Sequence, residues 1–258
     1  MEVAAYEYPA PPASLACAPG ARPGRAGITD GERTPEGIGY NVRTPSNYDP
    51  TVAHPLLMFY APAGSTAAGS ERVTGLTKPA TRAGFVVAYA DSRRLSIPVI
   101  RELGAIPRLV ARKWCVDERR IYLTGHSDGG TVALALAILD ETKALPAGIA
   151  PSAAGFSGED LARYACPPPL PVLAMHSAKD THFPGYGAQS ARWWASCNRC
   201  DVSTTRRLAN GCIAYEGCAR GGRTWYCEGT NDHAKWPGLN ATLLGFLREA
   251  RGAPSPDR

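Results

Sequence analysis

The sequence lacks several patterns that would place it in common classes. No apolar run approaches the roughly 18 consecutive residues that a membrane helix needs, so we expect no membrane partner. The first residues contain Glu2 and a Pro-rich stretch at 9–12 rather than a basic segment followed by an apolar one, so we do not expect these residues to be a signal peptide. No internal repeat is present, which excludes repeat architectures.

Lysine is scarce. The net charge of +5 comes from 28 basic residues, of which only five are lysine, against 23 acidic ones. The arginines are scattered in short pairs, and no basic block alternates with aromatic residues as in nucleic-acid-binding proteins. We therefore expect no nucleic-acid partner.

Cysteine, by contrast, is plentiful. The chain has eight cysteines, five of them within residues 197–227. Such a number is typical of exported proteins that form disulfides, whereas cytosolic proteins seldom carry so many. Zinc binding is the alternative, since Cys197 and Cys200 form a C-x-x-C pair, but the later cysteines are not spaced as its partner pair. The cysteines thus predict disulfides, no metal, and a secreted (extracellular or periplasmic) protein whose export signal is missing from this sequence.

Residues 37–251 are expected to form one folded domain. Residues 1–36 are rich in Pro, Gly and Ala and predict an extended arm, and residues 252–258 predict a disordered tail. Short apolar runs predict strands at 39–43, 55–61, 84–89, 120–124, 148–151, 171–176, 204–208 and 224–227. Helices are predicted between them at about 70–83, 97–113, 129–140, 186–197 and 237–250. This alternation predicts an α/β fold with a mostly parallel, doubly wound sheet and helices on both faces.

A G-x-S-x-G motif lies at residues 125–129, Gly-His-Ser-Asp-Gly. The pentapeptide alone is a weak signal, but an apolar strand comes directly before it and an apolar helix directly after. That setting predicts a nucleophile elbow, a sharp turn that exposes the hydroxyl of Ser127 above the sheet. The alternative is an ordinary strand-to-helix turn that contains a serine.

A serine nucleophile needs a base and an acid that orients the base. In this arrangement the chain order is Ser, acid, His, and the acid follows the next buried strand. Asp180 follows the strand at 171–176 and fits; Asp232 is the rival, but it is adjacent in sequence to the best histidine, His233. His233 lies in the loop after the last predicted strand, which is where the base is expected.

The other four histidines fit the role of base less well. His54 precedes the nucleophile, His126 lies within the elbow, His176 lies on a strand, and His182 is too close in sequence to Asp180. An oxyanion hole requires two backbone N–H groups. We expect one from Asp128, the residue after the nucleophile, and the other from Ala63 or a close neighbour, because Pro62 has no N–H.

Together these blocks resemble the branch of α/β hydrolases that contains feruloyl esterases and polyhydroxybutyrate depolymerases. The resemblance covers about residues 37–248 and rests on YNVRTPSNYDP at 40–50, CVDERRIYLTGHSDGG at 115–130, HSAKD at 176–180, YEGC at 215–218, WYC at 225–227 and HAKWPG at 233–238. It implies an exported carboxylic-ester hydrolase that needs no cofactor, with Ser127, Asp180 and His233 as its triad.

Two departures from that family lie on the expected pocket wall. Tyr60-Ala61 replaces a His-Gly pair, and Asn231-Asp232 replaces glycines ahead of the histidine. These departures bear on the substrate class. We expect Tyr60, His126 and Trp236 to form the substrate-binding wall.

Two disulfides are expected. The first is Cys115–Cys166. Each of these cysteines precedes a predicted strand, and if those strands are parallel neighbours, both cysteines lie at the same edge of the sheet. The second is Cys200–Cys218, which would stabilise the region before the histidine loop and hold His233 in place.

Three functions remain open. Aromatic residues near the acid and the base favour an esterase acting on aromatic, feruloyl-type esters, including esters of plant cell-wall polysaccharides. A depolymerase acting on polyhydroxyalkanoate or an aromatic polyester is the alternative, and an inactive hydrolase-like binding module is a third. We expect the protein to be a monomer.

Overall fold

The computed structural model describes residues 1–7 and 16–250, in which ten strands form one sheet. The strands are β1 Ile28–Arg33, β2 Gly39–Arg43, β3 His54–Tyr60, β4 Val86–Ala90, β5 Val116–His126, β6 Gly148–Ser152, β7 Pro171–Lys179, β8 Asp201–Arg207, β9 Ile213–Glu216 and β10 Arg223–Asp232. The helices are α1 Ala67–Thr74, α2 Thr77–Arg82, α3 Ile97–Lys113, α4 Asp128–Ile138, α5 Gly158–Leu161, α6 Tyr186–Cys197 and α7 Asn240–Glu249. None of the described helices combines the length and the hydropathy needed to cross a bilayer.

The centre of the sheet is parallel and its two edges are antiparallel. The strand order is β1-β2-β4-β3-β5-β6-β7-β10-β9-β8. Strands β4, β3, β5, β6, β7 and β10 run parallel to one another, whereas β1 and β2 at one edge and β8 and β9 at the other pair antiparallel. The parallel strands therefore end at a common edge, where catalytic side chains of open α/β sheets collect.

Helices cover both faces of the sheet because the central strands are apolar on both sides. Along β3, Leu56 and Met58 pack in a core with α3, α4 and α6, while Leu57 and Phe59 pack in a second core with α2 and α7. Successive strand residues point to opposite faces, so a continuous apolar run supplies both cores. The predicted doubly wound α/β architecture is confirmed.

Three described elements were not expected from the sequence: β1, β9 and the short helix α5. Strand β1 lies within the stretch expected to be an extended arm, and it pairs antiparallel with β2 at the sheet edge. The single helix predicted at 70–83 is two helices, because Gly75 adopts a left-handed conformation with φ 59° that ends α1. The predicted disordered tail lies outside the described residues.

Four disulfides join all eight cysteines: Cys17–Cys115, Cys166–Cys197, Cys200–Cys218 and Cys212–Cys227. The structure contains the expected Cys200–Cys218 pair.

The expected Cys115–Cys166 pair is wrong. The strands that follow these two cysteines, β5 and β7, are not neighbours, because β6 lies between them. Strands two positions apart are separated by about 10 Å, which is beyond the reach of a disulfide. Cys115 instead tethers the N-terminal segment through Cys17, and Cys166 binds Cys197 at the end of α6.

Candidate active site

Ser127 lies on a strained turn between a buried strand and a buried helix. Strand β5 ends at His126 and helix α4 begins at Asp128, leaving Ser127 alone at the junction. Its backbone adopts φ 55° and ψ −119°, a conformation that costs a non-glycine residue on the order of 1–3 kcal/mol. The N–H of Ser127 donates to the carbonyl oxygen of Ser152 on β6 at 2.9 Å, which helps to hold the turn.

Glycines around Ser127 allow this turn to lie against the neighbouring strands. A Cβ atom on Gly129 would lie 1.8 Å from the carbonyl oxygen of Tyr60, and one on Gly125 would lie 2.7 Å from the same oxygen. A Cβ atom on Gly130 would lie 2.4 Å from the carbonyl oxygen of Ser152. Only residues without a side chain fit these positions, which explains the glycines of the motif.

A chain of two hydrogen bonds joins Ser127, His233 and Asp180. The Nε2 atom of His233 lies 2.9 Å from the Oγ atom of Ser127, and its Nδ1 atom lies 2.7 Å from the Oδ2 atom of Asp180. A carboxylate only accepts, so Nδ1 carries the proton and Nε2 presents a lone pair to the hydroxyl. The structure therefore brings together the three side chains that the sequence singled out.

The register of two parallel strands places the acid beside the histidine. Lys179 at the end of β7 is paired with Asp232 at the end of β10. The next residues along the two strands are Asp180 and His233, so both leave the sheet at the same level of its carboxyl edge. This pairing is a property of the fold and explains how residues 53 positions apart meet.

Asp180 is held as an ionised acceptor. Its side chain is buried, and its Oδ1 atom accepts hydrogen bonds from the backbone N–H groups of His182 and Phe183, each at 2.9 Å. Burial by itself would raise the pKa of Asp180, but the hydrogen bonds from His233 and from the Phe183 backbone, together with the electrostatic influence of the His233 and His176 rings, outweigh it and lower the pKa. The carboxylate thus stays charged and can orient the imidazole.

His126 supports the histidine loop, and its expected role in substrate binding stays a prediction. Its ring is buried, with Nε2 2.7 Å from the carbonyl oxygen of His233 and Nδ1 3.0 Å from the hydroxyl of Ser152. Because Nε2–H donates to the carbonyl, Nδ1 accepts from the hydroxyl. Burial lowers the pKa of His126, which keeps the ring neutral for this arrangement.

The other two expected wall residues are also buried. Tyr60 is only 1% exposed and its hydroxyl donates to the carbonyl oxygen of Leu103, so its side chain belongs to the core and the expectation is wrong. Trp236 is 7% exposed and packs edge-on against Phe59 and His126. It packs beneath the histidine loop against His126, and its expected role in substrate binding stays a prediction.

The expected oxyanion donors lie at the same edge of the sheet. Asp128 is the first residue of α4, where backbone N–H groups have no partner within the helix. Ala63 is exposed in a turn after β3, closed by a hydrogen bond from Ser65 N–H to the carbonyl oxygen of Pro62. No described residue accepts a hydrogen bond from Ala63 N–H. Their role in an oxyanion hole stays a prediction.

An aromatic cluster beside His233 was missed by sequence reasoning. His182 stacks on the His233 ring at 4.6 Å between centroids, and Phe183 contacts the same ring edge-on at 5.1 Å. Tyr186 stacks on Phe183 at 5.5 Å, and both are only partly buried. The sequence signal was present, since these residues directly follow the acid, but only the fold shows that they turn back onto the base.

This arrangement can carry out nucleophilic chemistry. A base accepts from the serine hydroxyl, an ionised acid holds the base in the useful tautomer, and a helix N-terminus lies next to the nucleophile. Asp180, His182 and His233 also place one ligand atom each within 4.8 Å of one another, close enough to share a metal ion.

Comparison with known proteins finds similarity to esterases. No family model matches the chain. Feruloyl esterase B of Piromyces equi is 25% identical over 218 residues, which cover 72% of this chain and 40% of that protein. The chain therefore spans less than half the length of this curated relative.

Solved esterase structures superpose on most of the chain. A thermostable esterase gives a TM-score of 0.60 at 19% identity, covering 86% of this chain and 62% of its own. Acetyl xylan esterase from Aspergillus awamori gives a TM-score of 0.61 at 15% identity, and the match covers 87% of this chain and 99% of that enzyme's chain. Esterase 2 of Thermogutta terrifontis, phosphonylated by cyclosarin, gives a TM-score of 0.59 at 14% identity, and the match covers 93% of this chain and 97% of that esterase's chain. The chain therefore has the α/β-hydrolase fold, and the proteins to which it is similar are esterases.

Proposed function

We propose that the protein is a serine hydrolase of carboxylic esters, with Ser127 as nucleophile, His233 as general base and Asp180 as the orienting acid. The observation that carries the proposal is the continuous pair of hydrogen bonds from Ser127 through His233 to Asp180, at 2.9 and 2.7 Å. A binding module would need neither this alignment nor the strained backbone of Ser127. An inactive hydrolase-like module is therefore the weaker hypothesis.

The reaction proceeds in two acyl-transfer steps. His233 Nε2 takes the hydroxyl proton as Ser127 Oγ attacks the ester carbonyl, and the backbone N–H groups of Asp128 and Ala63 stabilise the negative charge that develops on the carbonyl oxygen. The imidazolium then gives its proton to the leaving alcohol, which leaves an acyl group on Ser127. Water, deprotonated by His233, attacks this acyl-enzyme, releases the acid and restores the hydroxyl.

We propose aromatic, feruloyl-type esters as the substrate class. The support is the partly exposed stack of Phe183 and Tyr186, which extends from the ring of His233. Such a surface offers offset stacking to a planar acyl or alcohol group next to the reacting carbonyl. The similarity to a protein called feruloyl esterase B favours the same class. The ester then belongs to a feruloylated plant cell-wall polysaccharide.

Polyester depolymerisation is the second candidate. Because Phe183 and Tyr186 are partly exposed rather than enclosed, they could also bind a flat segment of an insoluble aromatic polyester. This alternative predicts release of soluble monomers from a polymer film and little preference for small aromatic esters over aliphatic ones.

The pairing of all eight cysteines supports a secreted protein. Four disulfides form and persist in oxidising surroundings outside the cytosol. Export to the cell exterior or the periplasm also suits a substrate as large as a polysaccharide.

The experiment compares the parent protein with Ser127→Ala on methyl ferulate and on methyl acetate, which has the same alcohol but an aliphatic acyl group. We expect both activities to disappear in the variant, and kcat/KM of the parent to be higher for methyl ferulate than for methyl acetate. A fluorophosphonate probe should label the parent once, on the peptide that contains Ser127, and should not label Ser127→Ala. Equal activity in the two proteins would refute the nucleophile; equal kcat/KM for ferulate and acetate would refute the aromatic class alone.

A further inference from the structure

His182 and His233 form a stacked pair of imidazoles at the mouth of the site. Their centroids are 4.6 Å apart and the ring planes differ by 22°. His182 is exposed and His233 is partly buried. No described residue forms a hydrogen bond with the ring of His182. The His182 imidazole takes no part in the proposed acyl-transfer mechanism.

The carboxylate of Asp180 lies next to these two imidazoles and could bind a metal ion together with them. Each of Asp180, His182 and His233 offers a ligand atom, and the three atoms lie within 4.8 Å of one another. Two ligands of a tetrahedral zinc ion are about 3.3 Å apart, given metal–ligand bonds of about 2.0–2.1 Å. Rotation of the exposed His182 side chain can close the remaining distance, because the described residues hold its ring only by ring contacts with His233 and Phe183 and by no hydrogen bond.

We propose that Asp180, His182 and His233 form a binding site for a transition-metal dication such as Zn²⁺ or Cu²⁺, and that metal bound there switches the enzyme off. Two imidazole nitrogens and one carboxylate oxygen are a donor set that both ions accept. The set leaves a fourth position for water, as in sites with three protein ligands.

The surroundings of the carboxylate suit a ligand. The Oδ1 atom of Asp180 already accepts from the backbone N–H groups of His182 and Phe183. Hydrogen bonds of this kind fix the orientation of a ligating carboxylate. They also tie the backbone of His182 to Asp180, so one ligand positions the next.

Metal binding stops catalysis whichever nitrogen of His233 is used. Metal on Nε2 occupies the lone pair that accepts the proton of Ser127. Metal on Nδ1 displaces the proton that Asp180 holds there, and in the neutral ring that proton then resides on Nε2. A protonated Nε2 cannot accept from a hydroxyl, so the nucleophile is not activated in either case.

The inhibitory effect rests on the proposed function, but metal binding does not, and the two are tested separately. Binding is measured first, without turnover, by titrating Cu²⁺ into Ser127→Ala and recording electron paramagnetic resonance. We expect one equivalent to give nitrogen hyperfine coupling, and His182→Phe in the same background to lose part of it. Phenylalanine is the matched replacement, because it keeps a ring in the stack but has no ligand atom.

Inhibition is measured next, as the Zn²⁺ concentration that halves hydrolysis of para-nitrophenyl acetate relative to the metal-free rate of the same variant. We expect this concentration to rise about tenfold or more in His182→Phe, while His54→Gln, which removes a distant histidine, leaves it unchanged. EDTA should restore the parent's rate.

Equal Zn²⁺ sensitivity of the parent and His182→Phe, or a Cu²⁺ spectrum unaffected by the substitution, would overturn the site. If the parent hydrolyses no ester at all, the proposed function fails, and the resonance experiment still decides whether the metal site exists.

Discussion

Replacing Asp180 with asparagine tests the site most directly, because the structure dictates how the new amide must lie. Oδ1 of Asp180 accepts two backbone N–H groups, and Oδ2 faces Nδ1 of His233. In Asp180→Asn, the amide oxygen stays at the position that accepts the two N–H groups. The amide NH₂ then faces His233 and donates to Nδ1.

The size of this preference can be worked out. Turning the amide over would place NH₂ against two N–H donors and lose two hydrogen bonds, each worth about 1–1.5 kcal/mol net. A preference of about 2–3 kcal/mol leaves fewer than about one molecule in thirty with the flipped amide. In the others, Nδ1 of His233 accepts and Nε2 carries the proton, so the ring cannot deprotonate Ser127.

We therefore expect kcat of Asp180→Asn on para-nitrophenyl acetate to fall by at least about 30-fold from the tautomer alone. With the loss of the carboxylate charge, the fall should reach about 10³–10⁴-fold, or about 4–5.5 kcal/mol. KM should change little, because the lost interaction acts in the transition state.

Nitrogen-15 spectra of the imidazole should show the proton on Nδ1 of His233 in the parent and on Nε2 in the variant. Asp232→Asn is the matched control. Among the described residues, this neighbouring carboxylate accepts only from the backbone N–H of Ala234, so its replacement should leave kcat near the parent value. A kcat for Asp180→Asn within tenfold of the parent's, with the proton still on Nδ1, would refute the reasoning.

Three further predictions concern the framework. Gly129→Ala places a methyl group 1.8 Å from the carbonyl oxygen of Tyr60, so the free energy of unfolding in urea should fall by about 3 kcal/mol or more, and activity with it. Replacing Cys17 and Cys115 by serine removes a disulfide between residues 98 positions apart. Because this disulfide closes a long loop in the unfolded chain, its loss should lower the free energy of unfolding by about 4–5 kcal/mol. Burial lowers the pKa of His54 in the folded protein. As the pH falls below about 6.5, the His54 imidazole is therefore protonated more readily in the unfolded chain than in the folded one, which destabilises the fold. His54→Gln should accordingly flatten the decline of Tm between pH 7 and pH 5.

Each of these has a matched comparison. Gly245→Ala on α7 adds a methyl group with nothing within 4 Å and should not destabilise the protein; similar losses at both glycines would contradict the contact argument. Opening Cys212–Cys227, which joins residues only 15 apart, should cost about 1.5 kcal/mol less than opening Cys17–Cys115, and the reverse order would contradict the loop argument. An unchanged slope of Tm against pH in His54→Gln would show that His54 does not set the acid sensitivity.

The local features of the site could be predicted from the sequence because they depend on short-range chemistry. A strand, a sharp turn and a helix within about 20 residues predicted the elbow at Ser127, and the chain order of nucleophile, acid and base selected Asp180 and His233. The structure brings these three side chains within hydrogen-bonding distance. Their catalytic role stays a prediction until Ser127→Ala is assayed.

One disulfide prediction and the placement of Tyr60 failed, because both required knowledge of which elements are neighbours. Pairing Cys115 with Cys166 assumed adjacent strands, but β6 separates β5 from β7. Tyr60 was expected in the cleft, yet the alternation of side chains along β3 turns it into the core, where it is 1% exposed. The aromatic contacts of His182 and Phe183 with His233 arise from a loop that folds back, which no periodicity encodes.

The sequence by itself determined the α/β class, the parallel sheet and the position of the strand-turn-helix junction at Ser127, since apolar runs and turn-forming glycines act over a few residues. Tertiary structure decided everything that depends on strands far apart in the chain. The pairing of β7 with β10 brings Lys179 level with Asp232, and this register sets Asp180 beside His233. It does so because parallel strands held by backbone hydrogen bonds end together, whatever the length of chain that connects them.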